Sequence, residues 1–193
     1  MQAISRARLL RTGAAAAAAT AGGALLHDGA PAATTHSAAL DAKVLAFALG
    51  IERMQQAFYT DALAHAGLKG ELREFAQTAL GHERDHVALL TKALAGNAPK
   101  EPTYKFGEAT RSPKAFTAAA RDLEDLTVLA YNAGAPSLRP ATLAQAARIV
   151  SVEARHAAWV RDIAGVLPAP EATEPVVTPA QVQQRIKQLG FIA

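Results

Sequence analysis

The chain contains two Glu-x-x-His pairs, Glu83 with His86 and Glu153 with His156. Each pair sits within a long stretch that has the apolar periodicity of an α-helix. Residues three apart share one face of a helix, so the carboxylate and the imidazole of each pair can bind the same ion. The fold of this chain therefore has to bring two helix faces together.

A single glutamate lies upstream of each pair, and a tyrosine follows that glutamate at the same spacing in both cases. The two sets are Glu52 with Tyr59 and Glu124 with Tyr131. The interval between these sets nearly equals the interval between the two Glu-x-x-His pairs. The chain therefore resembles two helical hairpins of one design, with Glu-x6-Tyr on the first helix and Glu-x-x-His on the second.

Composition favours helices over a sheet. Half of the 193 residues are hydrophobic, only 5% are aromatic, and no segment shows the alternating Val, Ile and Thr of a strand. Alanine-rich chains suit close-packed helices, and this length suits one domain with a sizeable core. We therefore predict an all-α fold, in which two hairpins joined by a long crossover form a four-helix bundle with a short C-terminal helix.

Cysteine is absent from the sequence, which excludes disulfides, thiolate metal sites and iron–sulfur clusters. A metal would be held by carboxylates and imidazoles, which suit iron, manganese or zinc. The net charge is +3, but much of this excess comes from the arginines at the start of the chain. Basic and acidic residues nearly balance in the remainder, so we expect no nucleic-acid partner.

Residues 1–32 have the features of an export signal. A basic start with Arg6, Arg8 and Arg11 precedes a weakly apolar, alanine-rich run, and Ala-Pro-Ala at 30–32 offers a cleavage site. The run is too short and too alanine-rich for a secure membrane span, so we expect none in the mature protein. We predict a periplasmic or extracellular location; the alternative is a disordered basic tail on a cytoplasmic protein.

The export route is indicated by residues 5–11, Ser-Arg-Ala-Arg-Leu-Leu-Arg, which resemble a twin-arginine signal. The pattern of that signal is Ser-Arg-Arg-x-Phe-Leu-Lys, and here Ala7 separates the arginines. The resemblance implies that the protein crosses the membrane folded and with its cofactor loaded. The general secretory pathway is the alternative.

The remaining chain divides into a small polar linker at 33–40, the bundle at 41–166, and a proline-rich link with a C-terminal helix at 167–193. Turn signals predict four bundle helices, at about 41–66, 71–95, 113–133 and 141–166. The connection at 96–112 can span roughly 50 Å, enough to pass along a helix of roughly 38 Å. The amphipathic C-terminal helix is expected to dock either on the bundle or on a second subunit of a homodimer.

The four glutamates are expected to share one level of the bundle. Glu52 and Glu83 lie almost equally far from a turn centred near residue 68. Glu124 and Glu153 lie almost equally far from a turn centred near residue 138, and their distances from it are similar to those of the first pair. At ~1.5 Å of rise per residue, the differences amount to less than one helical turn. The crossover then brings four carboxylates and two imidazoles together inside the bundle.

Four carboxylates in a core of low dielectric constant repel one another, and some of them have to take up protons to remain buried. Two divalent cations carry four positive charges and remove this repulsion. The number of acidic groups therefore predicts a site for two metal ions.

The ligand set resembles that of the di-iron carboxylate proteins of the ferritin-like superfamily. Its members are Glu52, Glu83, His86, Glu124, Glu153 and His156. The surrounding sequence, Phe-Ala-Leu-Gly-Ile-Glu at 47–52, Ala-Phe-Tyr at 57–59 and Glu-Ala-Arg-His-Ala-Ala at 153–158, is most similar to exported bacterial ferritin-like domain proteins, some described as desiccation-related. The resemblance covers about residues 41–166 and implies a ferritin-like four-helix bundle.

By this resemblance, Glu83 and Glu153 bridge two metal ions, with iron favoured over manganese and zinc. Each metal ion is also bound by one further glutamate, Glu52 or Glu124, and by one histidine, His86 or His156. Coordination positions left free would bind dioxygen or peroxide. The expected chemistry is therefore redox cycling, with ferrous iron oxidation or peroxide reduction as its result.

Several assignments remain open from the sequence. Solvent-facing helix charge is the competing interpretation of the six ligands, and Asp125 competes with Glu124, which is preferred because Tyr131 follows it. Tyr59 and Tyr131 either hydrogen-bond the ligand carboxylates, carry an oxidising equivalent or pack in the core. Other notable side chains are expected at the surface or in packing contacts: His65, His82, Arg84, Arg155 and Trp159. His82 directly precedes Glu83 on the helix, so we expect it to point away from the site.

Four functions compete. The first is a dimetal oxidoreductase outside the cytoplasm that consumes peroxide or oxidises ferrous iron. An iron-storage ferritin would require assembly into a shell, and a manganese catalase would differ in its metal. The fourth is a non-catalytic stress or interaction protein that keeps the bundle without turnover.

Overall fold

The computed structural model describes residues 36–193, whose regular secondary structure is helical. Its α-helices are α1 Ala38–His65, α2 Gly70–Ala93, α3 Pro113–Gly134, α4 Pro140–Ile163 and α5 Pro179–Leu189. Extended pairing in this range is limited to one isolated bridge, between Tyr104 and Ile192. No helix of this range combines the length and apolar character needed to cross a membrane. The predicted export signal and the start of the predicted linker lie outside the described residues.

Helices α1 and α2 form one hairpin, and α3 and α4 form the other. The hairpins lie side by side, with α1 against α3 and α2 against α4. The connection from Ala93 to Pro113 joins them and contains a 3-10 turn at Gly107–Thr110. The predicted all-α bundle of two hairpins with a long crossover is confirmed.

Helix α1 begins at Ala38, three residues before the predicted start at Asp41. Ser37 has an extended backbone, and its side chain accepts a hydrogen bond from the backbone N–H of Leu40 at 3.1 Å. This N-cap satisfies one free donor of the first helical turn. The helix therefore includes the last three residues of the predicted linker at 33–40. The sequence prediction did not treat Ser37 as the N-cap.

The C-terminal boundary of α4 also differs from the prediction. The helix ends at Ile163, whereas the sequence predicts an end at Val166. Gly165 has a left-handed backbone with φ of 71°, a conformation that commonly terminates helices and that glycine adopts without strain. The last predicted residues therefore form the turn that follows the helix.

Two apolar clusters form the core, and a polar layer separates them along the helix axes. The larger cluster centres on Phe58, Phe75 and Phe116, all fully buried. Phe58 stacks on Phe116 with ring centroids 5.4 Å apart. The smaller cluster includes Leu49 and Leu90.

The order of residues along α2 and α4 shows where the polar layer lies. On α2, the larger cluster extends to Leu80 and the smaller cluster contains Leu90. On α4, Ile149 belongs to the smaller cluster and Val160 to the larger one. Both Glu-x-x-His pairs fall within these gaps, so the fold places them between two apolar regions.

The C-terminal helix α5 packs on the bundle of its own chain, against α3. A capping box formed by Thr178 and Gln181 starts the helix, and Val182 and Ile186 are buried in the larger core cluster. The chain end is held by a hydrogen bond from the backbone N–H of Lys105 to the carbonyl of Phe191 at 2.9 Å. Of the two predicted docking sites, α5 therefore occupies the bundle.

Helix α3 ends where it passes very close to α1. A Cβ added at Gly134 would lie 2.7 Å from Cγ1 of Val44, well inside the usual contact distance of carbon atoms. We predict that Gly134→Ala lowers the free energy of unfolding by about 1 kcal/mol or more in urea titrations, since overpacking typically costs about 1–3 kcal/mol. In a Val44→Ala background the same change should be neutral or stabilising. Equal destabilisation in both backgrounds would contradict this close approach.

Candidate metal centre

All six predicted ligands lie buried in the polar layer. Four of them are glutamates with an exposed fraction of 0%: Glu52, Glu83, Glu124 and Glu153. The two histidines, His86 and His156, are 6% and 3% exposed. Helices α1 and α3 contribute one glutamate each, while α2 and α4 each contribute a glutamate and a histidine one turn apart. These side chains face the interior, as the helical periodicity predicts, and not the solvent.

The side chains form two overlapping groups, in each of which one ligand atom per residue lies within 4.8 Å of the others. One group consists of Glu52, Glu83, His86 and Glu153. The other consists of Glu83, Glu124, Glu153 and His156. Glu83 and Glu153 belong to both groups, so their carboxylates lie between two potential ion positions.

Each histidine turns its Nδ1 atom toward the carboxylates of its own group. Nδ1 of His86 lies 2.8 Å from Glu153 and 3.2 Å from Glu52. Nδ1 of His156 lies 3.5 Å from both Glu83 and Glu153, and 3.6 Å from Glu124. The imidazole nitrogen that each histidine offers to a cation is therefore Nδ1.

The two tyrosines of the repeat are buried, and each donates its phenolic hydrogen to a glutamate of the other hairpin. Tyr131 donates to Glu52 at 2.6 Å, and Tyr59 donates to Glu124. Burial raises the pKa of both phenols well above 10, and the neighbouring carboxylates raise it further. The tyrosines therefore stay protonated and hold the two outer carboxylates in place.

Without a cation, bound protons offset part of the negative charge of the buried cluster. Burial and neighbouring carboxylates raise the pKa of Glu83 well above its ordinary value, and burial raises the pKa of Glu124 to about 7. Burial disfavours charged histidines, but the adjacent carboxylates raise the pKa of His86 and His156 to about 12. Burial also disfavours ionised Glu153, yet the two adjacent histidines lower its pKa to about 2.

Several buried polar atoms of this cluster have no well-aligned hydrogen-bond partner among the described residues. They are both carboxylate oxygens of Glu83 and of Glu153, Oε2 of Glu124, and Nδ1 of His156. A buried acceptor without a donor is costly in free energy. Cations satisfy such atoms, and carboxylate oxygen with imidazole nitrogen suits iron, manganese or zinc. The residues present therefore fit metal ions.

Gln55 and Thr127 are fully buried polar residues beside the cluster that the ligand pattern does not predict. The hydroxyl of Thr127 donates to Oε1 of Gln55 at 2.8 Å, linking α1 to α3. The two residues are separated by the same interval that relates Glu52 to Glu124. That interval is the sequence signal by which they could have been found.

His82 contacts the cluster from the outside. It is exposed, as predicted, but its Nδ1 lies 2.8 Å from Nε2 of His156, so the prediction that it points away from the site is wrong. The two rings are inclined by only 10°, with centroids 5.1 Å apart. Periodicity on α2 alone misses this contact because the partner ring comes from α4.

The other open assignments are decided by contacts outside the cluster. Asp125 pairs with Arg161 of α4 at 2.8 Å, so it does not take the place of Glu124. Trp159 packs edge-on against Phe75 and donates to Glu71 at 3.0 Å, in agreement with a packing role. Three further residues are exposed, as predicted: His65, Arg84 and Arg155.

An open cavity of about 660 Å³ lies along the seam between α2 and α4. It extends from His82 to Ala93 on α2 and from Val152 to Gln145 on α4. His86 lines this cavity, while its Nδ1 faces the buried carboxylates. One histidine of the cluster is therefore reached by open space from the outside.

A buried layer of carboxylates and imidazoles inside two packed helical hairpins is compatible with metal binding in a helical bundle. The family model for the ferritin-like domain matches residues 40–166. The chain therefore belongs to the ferritin-like domain family. None of the curated proteins compared with the chain matches it.

The protonation of the metal-free cluster leads to a prediction about pH. His86 and His156 have raised pKa values and are charged at neutral pH, so a cation has to displace their protons. We predict that zinc binding at pH 7 releases about one proton or more per ion and that affinity falls as the pH falls, because protons compete for the same atoms. Calorimetry in buffers of different ionisation enthalpy measures this release. Binding without proton release would contradict the described protonation.

Proposed function

We propose that this protein is an exported dimetal oxidoreductase, with iron as its favoured metal, that oxidises ferrous iron or reduces peroxide. The observation that carries the proposal is the pair of overlapping ligand groups that share Glu83 and Glu153. Membership of the ferritin-like domain family supports it. Glu83 and Glu153 would contribute to holding both ions, and a bound pair of redox-active ions would supply electrons for one small oxidant.

The remaining ligands would divide equally between the ions, Glu52 with His86 and Glu124 with His156. Four carboxylates balance the charge of two divalent cations, which explains why so many acidic groups are tolerated in a core. Six protein groups do not fill the coordination spheres of two ions, whereas a structural site is closed by its protein ligands. This supports a reactive site that admits a small oxidant.

The chain's own residues prepare the site for this chemistry. Tyr59 and Tyr131 hold the outer carboxylates through hydrogen bonds from protonated phenols. The two apolar clusters flank the layer and its four glutamates are fully buried, which strengthens electrostatic interactions among them. When bound, the ion pair supplies the electrons that reduce dioxygen or peroxide. Reduction of one peroxide to two waters takes two electrons, the number that two ferrous ions release, and two protons.

Metal content tests the proposal first. We predict close to two metal ions per chain in protein isolated from its native host, measured by elemental analysis. Glu83→Ala removes a carboxylate shared by both groups, so it should lose most of both ions. Glu74→Ala is the matched control, because Glu74 is an exposed glutamate of the same helix, and it should keep both. A metal-free parent would favour the non-catalytic alternative.

Reactivity separates the remaining functions. We predict that the anaerobically iron-loaded protein consumes dioxygen or peroxide in stopped-flow experiments, and that Glu83→Ala slows this by about 100-fold or more, since losing a metal ion removes several kcal/mol of catalysis. The Glu74→Ala control should react like the parent. Rapid peroxide disproportionation by a manganese-loaded form would instead indicate a catalase, and a shell-sized assembly would indicate storage.

Export is part of the proposal and is supported by the basic start, alanine-rich run and Ala-Pro-Ala of residues 1–32. The sequence around the ligands likewise supports a place among exported, desiccation-related ferritin-like proteins. We predict that the protein outside the cytoplasm begins close to Ala33, as determined by mass spectrometry of its N-terminal peptide. An intact Met1 on a protein confined to the cytoplasm would contradict export.

A further inference from the structure

The two histidines of the cluster differ in what lies behind them. Nε2 of His156 is 2.8 Å from Nδ1 of His82. The outer face of His86 lines the open cavity, and within residues 36–193 no hydrogen bond to its Nε2 is present. The pseudo-symmetric halves of the centre are therefore supported unequally.

The cause of this difference is one position of the internal repeat. The interval that relates Glu83 to Glu153 and His86 to His156 also relates His82 to Val152. Val152 has no polar side-chain atom and lines the cavity beside His86. The first hairpin thus supplies a ring to the histidine of the second hairpin, and the second hairpin supplies none in return.

The chemistry of a metal ligand sets the direction of the hydrogen bond between the two rings. Nδ1 of His156 faces Glu83, Glu124 and Glu153, and it can bind a cation only through its lone pair. The ring proton then sits on Nε2. Nε2–H of His156 therefore donates to Nδ1 of His82, which accepts through its own lone pair.

We propose that His82 is a positioning residue that fixes the tautomer and ring orientation of His156, so that the ion held by Glu124 and His156 is bound more tightly than the ion held by Glu52 and His86. This inference rests on the proposed dimetal function. Hydrogen bonds to the second nitrogen of a ligating histidine typically change metal affinity by about 10–100-fold. The ion held by Glu52 and His86, beside the cavity, then exchanges more readily than the other ion.

The test uses cobalt(II) titrated into the metal-free protein, followed by calorimetry and by the visible absorption of the bound ion. The parent should bind two ions in unequal steps. His82→Ala should weaken the tighter step by about 10–100-fold. His82→Asn should largely restore it, because its amide oxygen occupies nearly the place of Nδ1 and accepts the same hydrogen. His65→Ala, which removes an exposed histidine of α1, should change neither step.

Combination variants assign the effect to one ion. With Glu52→Gln, which weakens the position of His86, His82→Ala should still weaken the remaining ion. With Glu124→Gln, which weakens the position of His156, His82→Ala should have no further effect. The opposite pattern would overturn the assignment.

A nitrogen-correlated NMR spectrum of the zinc-loaded protein supplies a readout of the hydrogen bond itself. The Nε2–H signal of His156 should be slow to exchange in the parent and in His82→Asn, and it should be lost in His82→Ala. If His82→Ala binds two cobalt ions as tightly as the parent, or if His82→Asn is as weak as His82→Ala, the inference is wrong while the proposed function stands. If the parent binds no cobalt, the proposed function fails as well.

Discussion

Repulsion among four buried carboxylates is the constraint on which this structure depends. Glu52, Glu83, Glu124 and Glu153 are fully buried at one level of the bundle, where the low dielectric constant makes like charges costly. The metal-free protein meets this cost with protons on His86, His156 and some of the carboxyl groups, but several oxygens still lack a well-aligned partner. Bound cations would remove the repulsion and satisfy those oxygens together. We propose that the polar layer is tolerated in the core because it binds cations.

The internal repeat explains how a short pattern builds a centre of this kind. Each hairpin supplies one outer glutamate, one shared glutamate and one histidine, and its tyrosine holds the outer glutamate of the other hairpin. The hairpins therefore depend on one another, and neither completes an ion position alone. Near-symmetry gives two similar candidate ion positions, and the change from His82 to Val152 is where the two halves cease to be equivalent. One half is supported by a neighbouring ring, and the other opens to a cavity.

The sequence predicted the helical class, the hairpins and the level of the ligands because these follow from helical periodicity and from distances to the turns. Boundaries were less predictable, since the start of α1 depends on whether Ser37 caps the helix. The docking of α5 depends on tertiary packing of Val182 and Ile186, which an amphipathic pattern leaves undecided. His82 was missed because its contact comes from a different helix. The identity of the metal does not follow from the ligand pattern, because the same carboxylates and imidazoles suit both iron and manganese.

The central claim is that the buried acids surround two cations. Crystals of the metal-free protein soaked anaerobically with ferrous iron, measured by anomalous diffraction at the iron edge, test it most directly. We expect two iron peaks in the polar layer, each ligated by both Glu83 and Glu153. A layer that keeps its carboxylates in place without any anomalous peak would contradict the account, because the acids would then be stabilised by protons alone.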